Sequence, residues 1–539
     1  MTTIQHSNVF DYIILGGGIA GLYSAYSILK KNKKANILIL EKHANVGGRV
    51  FTFKNKHMTV EAGAGRFHSE QPLILDLLKE LGLDKHIIEI NNTWGYGPSD
   101  GSHMIHHSIF DTPTEDIVDL NYISRLLKSG NGVDVQNDLF TFFNYELYGP
   151  MMKHGLEYYL GPHTLPCNEL ILQVIIKSSQ YSNDDLVSIS FLEFARRILN
   201  DEQVEYIKNS YGYYAKLIYY NAYDAMVVMR KNLSPFNKFY ALKGGLSSII
   251  RELEKRIKTY NNVVIKTLHT IEDLHFVEDT IFVDSLSDNG DDLDNNGHFN
   301  GTINVLCNKM KQDYLGGGVG GVGGVGGGIG GSRIINDNTK IIFSGKKCIS
   351  CLPKQVLESI PFFKELSGTF LSHIHCSPLC RIYVKYPKTI QDPSHNRNKK
   401  VWFHELKGRL CVNNDLRMII PINADEGVIM ISYCDSHFAR GWYDLYLRKN
   451  KKGVHNKIKK LVRRAIGIEV PDFIDLQVFY WSCGVGFWGI NANSDFVSEN
   501  ILQPNPKYPL YICGEHFSKQ NQQWIEGALE TSRNVVRSL

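Results

Sequence analysis

Tyr12-Ile-Ile-Leu15-Gly16-Gly17-Gly18-Ile19-Ala20-Gly21, followed after a polar break by Asn36-Ile-Leu-Ile-Leu40-Glu41, decides the fold. A short apolar run, a glycine turn, a helical stretch to Lys31 and a second apolar run closed by an acid make a strand–turn–helix–strand unit. Gly16 permits the tight turn, Gly18 lets backbone approach a pyrophosphate, and Gly21 lets helix and strand pack closely. The helix that opens at Ile19 and Ala20 offers free N–H groups and a positive dipole end to that anion. Glu41 is placed to accept hydrogen bonds from both ribose hydroxyls. Dinucleotide binding is the function this register predicts.

The same stretch runs from Tyr12 to Leu29 without a charge, which raises the question of a membrane span. Its glycines and tyrosines interrupt the run, and Asp11 stands where a signal peptide would carry a basic residue. Neither a signal peptide nor a transmembrane segment is expected. Over 539 residues the net charge is only +4, too thin for a nucleic-acid surface. The 10 cysteines are scattered, which excludes a disulfide scaffold and points to a reducing, cytoplasmic setting.

Outward from the first unit, residues 72 to 229 read as mostly helical, with Pro72 to Leu81 closed by Gly82 and a further segment from Phe191 to Leu199. A helix ending near Ile257 and the β-rich Val263-Val-Ile265 follow Lys243-Gly-Gly245. Asp, Asn and Gly crowd 286 to 301, and Gly316 to Gly331 holds twelve glycines in sixteen residues, so 286–338 reads as a flexible insertion. Lys347 to Cys351 reads as a strand returning to the first unit. Residues 380 to 440 alternate as antiparallel strands, 445 to 466 form a basic helix, and Leu510 to Leu539 is strand, turn, helix. Cys348 and Cys351 are read as strand positions. His373, His375, Cys376 and Cys380 have the composition of a metal site without its spacing, so no metal is expected.

The continuation separates flavin from nicotinamide. Gly47-Gly48-Arg49 lies just beyond the ribose acid, Glu61-Ala-Gly63-Ala64-Gly65-Arg66-Phe67 follows, and the far end carries Cys513-Gly514-Glu515-His516 and Trp524-Ile525-Glu526-Gly527-Ala528-Leu529. Together these resemble the flavin-dependent amine oxidase family, and most closely its L-amino-acid oxidases and tryptophan 2-monooxygenases. The resemblance touches both ends and three interior points. It implies an α/β fold in which a Rossmann-like FAD-binding domain is interleaved with a mixed α+β substrate domain. The FAD domain would comprise 1–70, 236–285, 339–358 and 480–539, and the substrate domain 71–235 and 359–479.

The resemblance implies FAD held noncovalently by Gly16, Gly18, Ile19, Ala20, Gly21, Glu41, Lys42, Gly48, Arg49, Ala64, Gly65, Arg66, Gly514, Glu515, Trp524 and Ile525. The family's covalent flavins hang from a cysteine nine residues past a tryptophan, and here that position past Trp481 is Ile490. Arg66, in a Gly-x-x-Arg context, would grip a substrate carboxylate; the alternative is an arginine at the surface or paired with phosphate. Trp524 would supply one aromatic wall at the flavin, and Trp488 or Phe487 the other. Tyr211-Gly-Tyr-Tyr214 is similar to a substrate-domain segment of L-amino-acid oxidases. Arg381 stands where the family carries a lysine beside the flavin. An arginine there implies altered reoxidation, a dehydrogenase or a catalytically silent flavoprotein. The activity implied is oxidation of an amine, most closely an L-amino acid, with O2 as electron acceptor and a homodimer left open. Polyamine or monoamine oxidation, a protoporphyrinogen-oxidase-like reaction and a non-catalytic flavoprotein are the alternatives.

Overall fold

The computed structural model describes residues 9–90, 166–233, 238–278, 301–314, 332–392, 397–400, 403, 409–412, 414–466 and 469–539. Its central sheet begins with the predicted unit: the strand Phe10–Leu15, the helix Ile19–Lys31 and the strand Ile37–Leu40. Phe10–Leu15 pairs in parallel with Ile37–Leu40 on one side and with the end of Ser332–Ser350 on the other. Val263–Lys266 and Leu510–Ile512 extend the parallel part at either end. Both faces are buried. Ile13, Leu15, Leu38 and Leu40 join one core, while Ile14, Ile37 and Ile39 join another with the helices Ile19–Lys31, Ser247–Ile257 and Ile525–Ser538.

The 286–338 insertion expected from composition needs correction. Gly301–Tyr314 and Ser332–Ser350 are strands, paired antiparallel with each other, and Gly301–Tyr314 pairs again with His269–Glu278. Ile303, Val305 and Cys307 are fully buried, the period-two pattern of a strand with one face in the core. Residues 279–300 and the Gly316 to Gly331 tract lie outside the described residues.

A second sheet of five strands runs Leu410–Cys411, Met418–Asn423, Val428–Asp435, Ile374–Lys385, Asp475–Trp488. The basic helix behind it starts earlier than expected, at Ser436, and runs to Ile466 with a break at Asn450, φ 53°. A third, small sheet sets Phe239–Leu242 between Phe67–His68 and Ile87–Ile90. The predicted helix Pro72–Leu81 ends on Gly82 at φ 72°, the left-handed cap glycine adopts readily. Phe191–Ile198 is opened by a reciprocal cap between Ser190 and Glu193. Of the expected helical middle, residues 91–165 lie outside the described residues, and the remainder from Pro166 to Leu233 is helical. Among the described residues no helix is long and apolar enough to cross a membrane.

Candidate active site

One cavity of about 1630 Å³ runs from the glycine turn to the second sheet, and all of the predicted cofactor positions except Gly21 line it. Gly21 is in the helix behind, where a Cβ would come 2.1 Å from the Gly16 carbonyl oxygen; its service is packing. Gly18 is the opposite case. A Cβ there would meet nothing of the protein within 4 Å, because it would project into the cavity. Glu41 is buried at the end of its strand, where its two carboxylate oxygens accept the Gly17 N–H at 2.9 Å and the His43 N–H at 2.8 Å. Burial raises its carboxyl above the ordinary range against those backbone donors. The acid is fixed in place at the cavity wall, where a ribose acceptor would be needed.

Arg49 does more than the sequence reading assigned. Its Nη1 reaches Glu515 Oε1 at 2.5 Å, the Gly484 carbonyl at 3.2 Å and His516 Nε2 at 3.1 Å. Burial works against ionisation of Glu515, but His516 and Arg49 overcome it and hold the carboxyl near 2. Its other oxygen accepts the Gln523 N–H at 2.7 Å, directly before the helix Ile525–Ser538. That helix has no side-chain cap, and Ile525 and Ala528 line the cavity, so its N-terminal N–H groups and dipole face the same space. Glu526 instead turns back and accepts from the N–H groups of Leu73 and Ile74, both at 2.9 Å, joining the chain's last helix to the start of Pro72–Leu81. A glycine cradle, a fixed ribose acid, a free helix N-terminus and a cavity of this length fit FAD.

At the other end, the turn from Glu61 to Phe67 carries Arg66 into the cavity. Arg66 lies over the Phe239 ring at 4.3 Å and donates from Nη2 to the Tyr213 hydroxyl at 3.5 Å. Trp524 stands edge-on to His68 at 5.0 Å and 6.5 Å from Phe239, so it walls the same end as Arg66. Of the two candidates for the opposite wall, Phe487 lines the cavity. Trp488 does not; it is fully buried and donates from Nε1 to the Lys519 carbonyl at 3.1 Å. Successive strand residues face opposite ways, which is the reason. Trp481 also lines the cavity and donates to the Ala62 carbonyl at 2.8 Å.

Three cavity residues escaped the sequence reading. Arg409 donates to the same Tyr213 hydroxyl at 3.4 Å, Lys216 Nζ lies 5.1 Å from the Tyr213 ring centre, and Tyr433 packs edge-on to Tyr213 at 5.6 Å. Burial pushes Lys216 down to about 8, with Arg66 and Arg409 adding to the fall. Burial alone would raise the Tyr213 phenol, but Arg66, Arg409, Lys216 and Arg381 bring it below its ordinary value. Two acids share this region, Glu61 and Asp435, each raised by burial to about 7. Lys216 stands two residues past the Tyr211-Gly-Tyr-Tyr214 motif, but a single lysine there carried no signal, and neither did Arg409.

Cys376 and Cys483, 107 residues apart, are joined as a disulfide beside His516, and Cys483 lines the cavity. His375 is stacked on Tyr219 at 4.0 Å, away from that cluster's ligand atoms.

Residues 14–81 match the NAD(P)-binding Rossmann-like domain family. Over 85 residues the chain is 41% identical to flavin-containing amine oxidase A of Equus caballus, and over 81 residues 37% identical to flavin-containing amine oxidase B of Homo sapiens. These matches span about a sixth of either chain, 16% and 15% of the relatives' length. In three dimensions the resemblance is complete in extent. Putrescine oxidase bound to putrescine is covered over 98% of both chains, at a TM-score of 0.58 and 12% identity. A putative protoporphyrinogen oxidase from Exiguobacterium sp. 255-15 is covered over 99% of both, at 0.55 and 15%. At those identities the likeness establishes the fold.

Proposed function

We propose that this chain is a member of the flavin-dependent amine oxidase family, an FAD-dependent oxidoreductase that oxidises the C–N bond of an α-amino acid. Bound FAD supplies the two-electron acceptor for hydride from Cα. The chain's own residues bind, orient and dehydrate. The observation that carries the amino-acid reading is the position of Arg66 inside the cavity, packed on Phe239 and converging with Arg409 on the Tyr213 hydroxyl. A guanidinium stays charged when desolvated and forks onto a carboxylate through two parallel hydrogen bonds. With the carboxylate held there, the amine and Cα are directed toward the space walled by Trp524 and Phe487. Orientation in a dry pocket can supply several kcal/mol of the barrier without a dedicated acid or base. The imine product then hydrolyses in water, and O2 is the proposed electron acceptor.

An oxidase of diamines needs acids at this end to receive a distal ammonium. Glu61 and Asp435 are present, but both are held near 7 by burial and are outnumbered by Arg66, Arg381, Arg409 and Lys216. Anaerobic mixing of the holoenzyme with a panel of L-amino acids, putrescine, spermine and simple monoamines, followed at the flavin absorbance, tests the reading. Bleaching by amino acids ahead of amines is expected. Bleaching by amines alone would replace it with the polyamine reading, and no bleaching by any compound would leave a flavoprotein without this activity.

A further inference from the structure

We infer that the cavity is built for an amino acid with a second carboxylate, an acidic substrate whose α-carboxylate meets Arg66 and Arg409 and whose side-chain carboxylate meets Lys216. The inference deepens the amino-acid reading and rests on it.

Its ground is the arrangement around one ring. Arg66 and Arg409 both donate to the hydroxyl of Tyr213, at 3.5 and 3.4 Å, while the Lys216 ammonium stands beside the same ring, 5.1 Å from its centre. The cations therefore occupy two stations, one at the phenol's tip and one at its ring. Lys216 is 6% exposed, and among the described residues no carboxylate lies within ion-pair distance of it. Asp435, the acid whose charge it feels, is engaged by the Ala215 N–H at 3.0 Å. A buried ammonium without a counter-ion is costly, and the protein tolerates it where something else brings the charge.

Arg381 is held largely by the protein, its Nη2 donating to the Tyr433 hydroxyl at 3.4 Å. Its Nη1 is committed to the carbonyl oxygens of Glu61 and Gly63. Around neutral pH Glu61 and Asp435 are each only partly ionised, both standing near 7. With Asp435 partly neutral and engaged by Ala215, Lys216 is the group a second substrate carboxylate would meet.

The test uses the FAD-loaded enzyme and isosteric pairs: L-glutamate against L-glutamine, and L-aspartate against L-asparagine. The acids are expected to exceed their amides in kcat/KM by about thirtyfold or more, the lower end of the effect of a desolvated charge pair. Binding is read separately, without turnover. Succinate and glutarate should perturb the flavin spectrum and raise Tm at concentrations where butyrate does neither. Lys216→Met should collapse the acid-to-amide ratio and Lys216→Arg should retain much of it, with flavin content and Tm measured on both. If Lys216→Met fails to fold, the wild-type comparison of succinate with butyrate decides. Amides oxidised as well as acids, or butyrate binding as well as succinate, would overturn the acidic substrate while leaving the amino-acid reading intact. Putrescine oxidised ahead of every amino acid would overturn both.

Discussion

Arg381 holds Gly63. Its Nη1 donates to the Gly63 carbonyl and, at 2.9 Å, to that of Glu61. Tyr383 reaches the same Glu61 carbonyl at 2.6 Å, and Trp481 the Ala62 carbonyl at 2.8 Å. Three side chains of the second sheet thus fasten three successive carbonyls of the turn that ends in Arg66. Arg381 works here as a brace between the second sheet and that turn.

Removing that brace should therefore act on binding more than on reoxidation. Arg381→Met takes this donor from the Gly63 carbonyl and leaves the Glu61 carbonyl to Tyr383 alone, at a cost of about 1–3 kcal/mol of stability. We expect KM to rise with a smaller change in kcat as Arg66 loses its fixed position, and Arg381→Lys to recover part of the KM. Should Arg381→Met instead leave KM and Tm alone and change only the rate of flavin reoxidation by O2, the positioning role is wrong.

Gly18 and Gly21 should separate cofactor affinity from folding. Gly18 has an ordinary backbone, φ −74°, and a Cβ there meets no protein atom, so Gly18→Ala should leave the apoprotein's Tm near wild type. The methyl enters the path of the pyrophosphate, and FAD affinity should fall roughly tenfold or more. Gly21→Ala drives a Cβ to 2.1 Å from the Gly16 carbonyl and should cost about 3 kcal/mol or more even without cofactor. Equal effects of the two on apoprotein stability would refute the division.

The legibility of this chain follows the range of its interactions. The glycine turn, Glu41 and the helix from Ile19 were readable because strand, turn, helix and acid occupy contiguous sequence. Arg409, Lys216 and Tyr433 meet only because segments far apart in sequence close on Tyr213, and a lysine in the short helix Tyr214–Ile218 looks like any surface lysine. The disulfide between Cys376 and Cys483 is likewise tertiary. The strand at Gly301–Tyr314 is a different failure. Alternating Ile303, Val305 and Cys307 were a legible signal, outweighed by the Asn- and Gly-rich stretch before them.

That strand changes what can be deleted. Gly316 to Gly331 offers almost no side chain to bury, and changing a loop's length costs only about 0.6 kcal/mol per doubling. Replacing 315–331 with a short linker should leave Tm and flavin content nearly unchanged. Replacing 290–336 removes Gly301–Tyr314, and loss of Ile303 and Val305 alone should cost about 3–6 kcal/mol. A wide deletion as stable as the narrow one would show that the strand contributes nothing to the fold.

The flavin should come away with acid. Ile490, nine residues past Trp481, is 43% exposed and not among the cavity residues. Cys483 and Cys351 both line the cavity, but Cys483 is bonded to Cys376, and Cys351 stands at the glycine turn with its Sγ 3.4 Å from that of Cys513. Acid precipitation should release the yellow colour to the supernatant; colour kept in the pellet would mean a covalent link.

The proposed substrate class turns on Arg66. If its guanidinium pairs with a carboxylate in this desolvated corner, Arg66→Ala leaves that carboxylate buried with part of its partner set gone. Such losses cost about 2–5 kcal/mol, or roughly thirty- to several-thousand-fold in kcat/KM. Arg409, on the same Tyr213 hydroxyl, should keep the effect toward the lower end. FAD should be retained, because Gly16 to Gly21, Glu41 and the Arg49–Glu515 pair serve the cofactor at the other end of the cavity. Decarboxylated analogues have nothing to offer the guanidinium. They should be poor substrates of the wild type and change little in the variant. A variant that loses amine and amino-acid oxidation equally would mean that Arg66 supports the pocket through its packing on Phe239 rather than by binding a carboxylate.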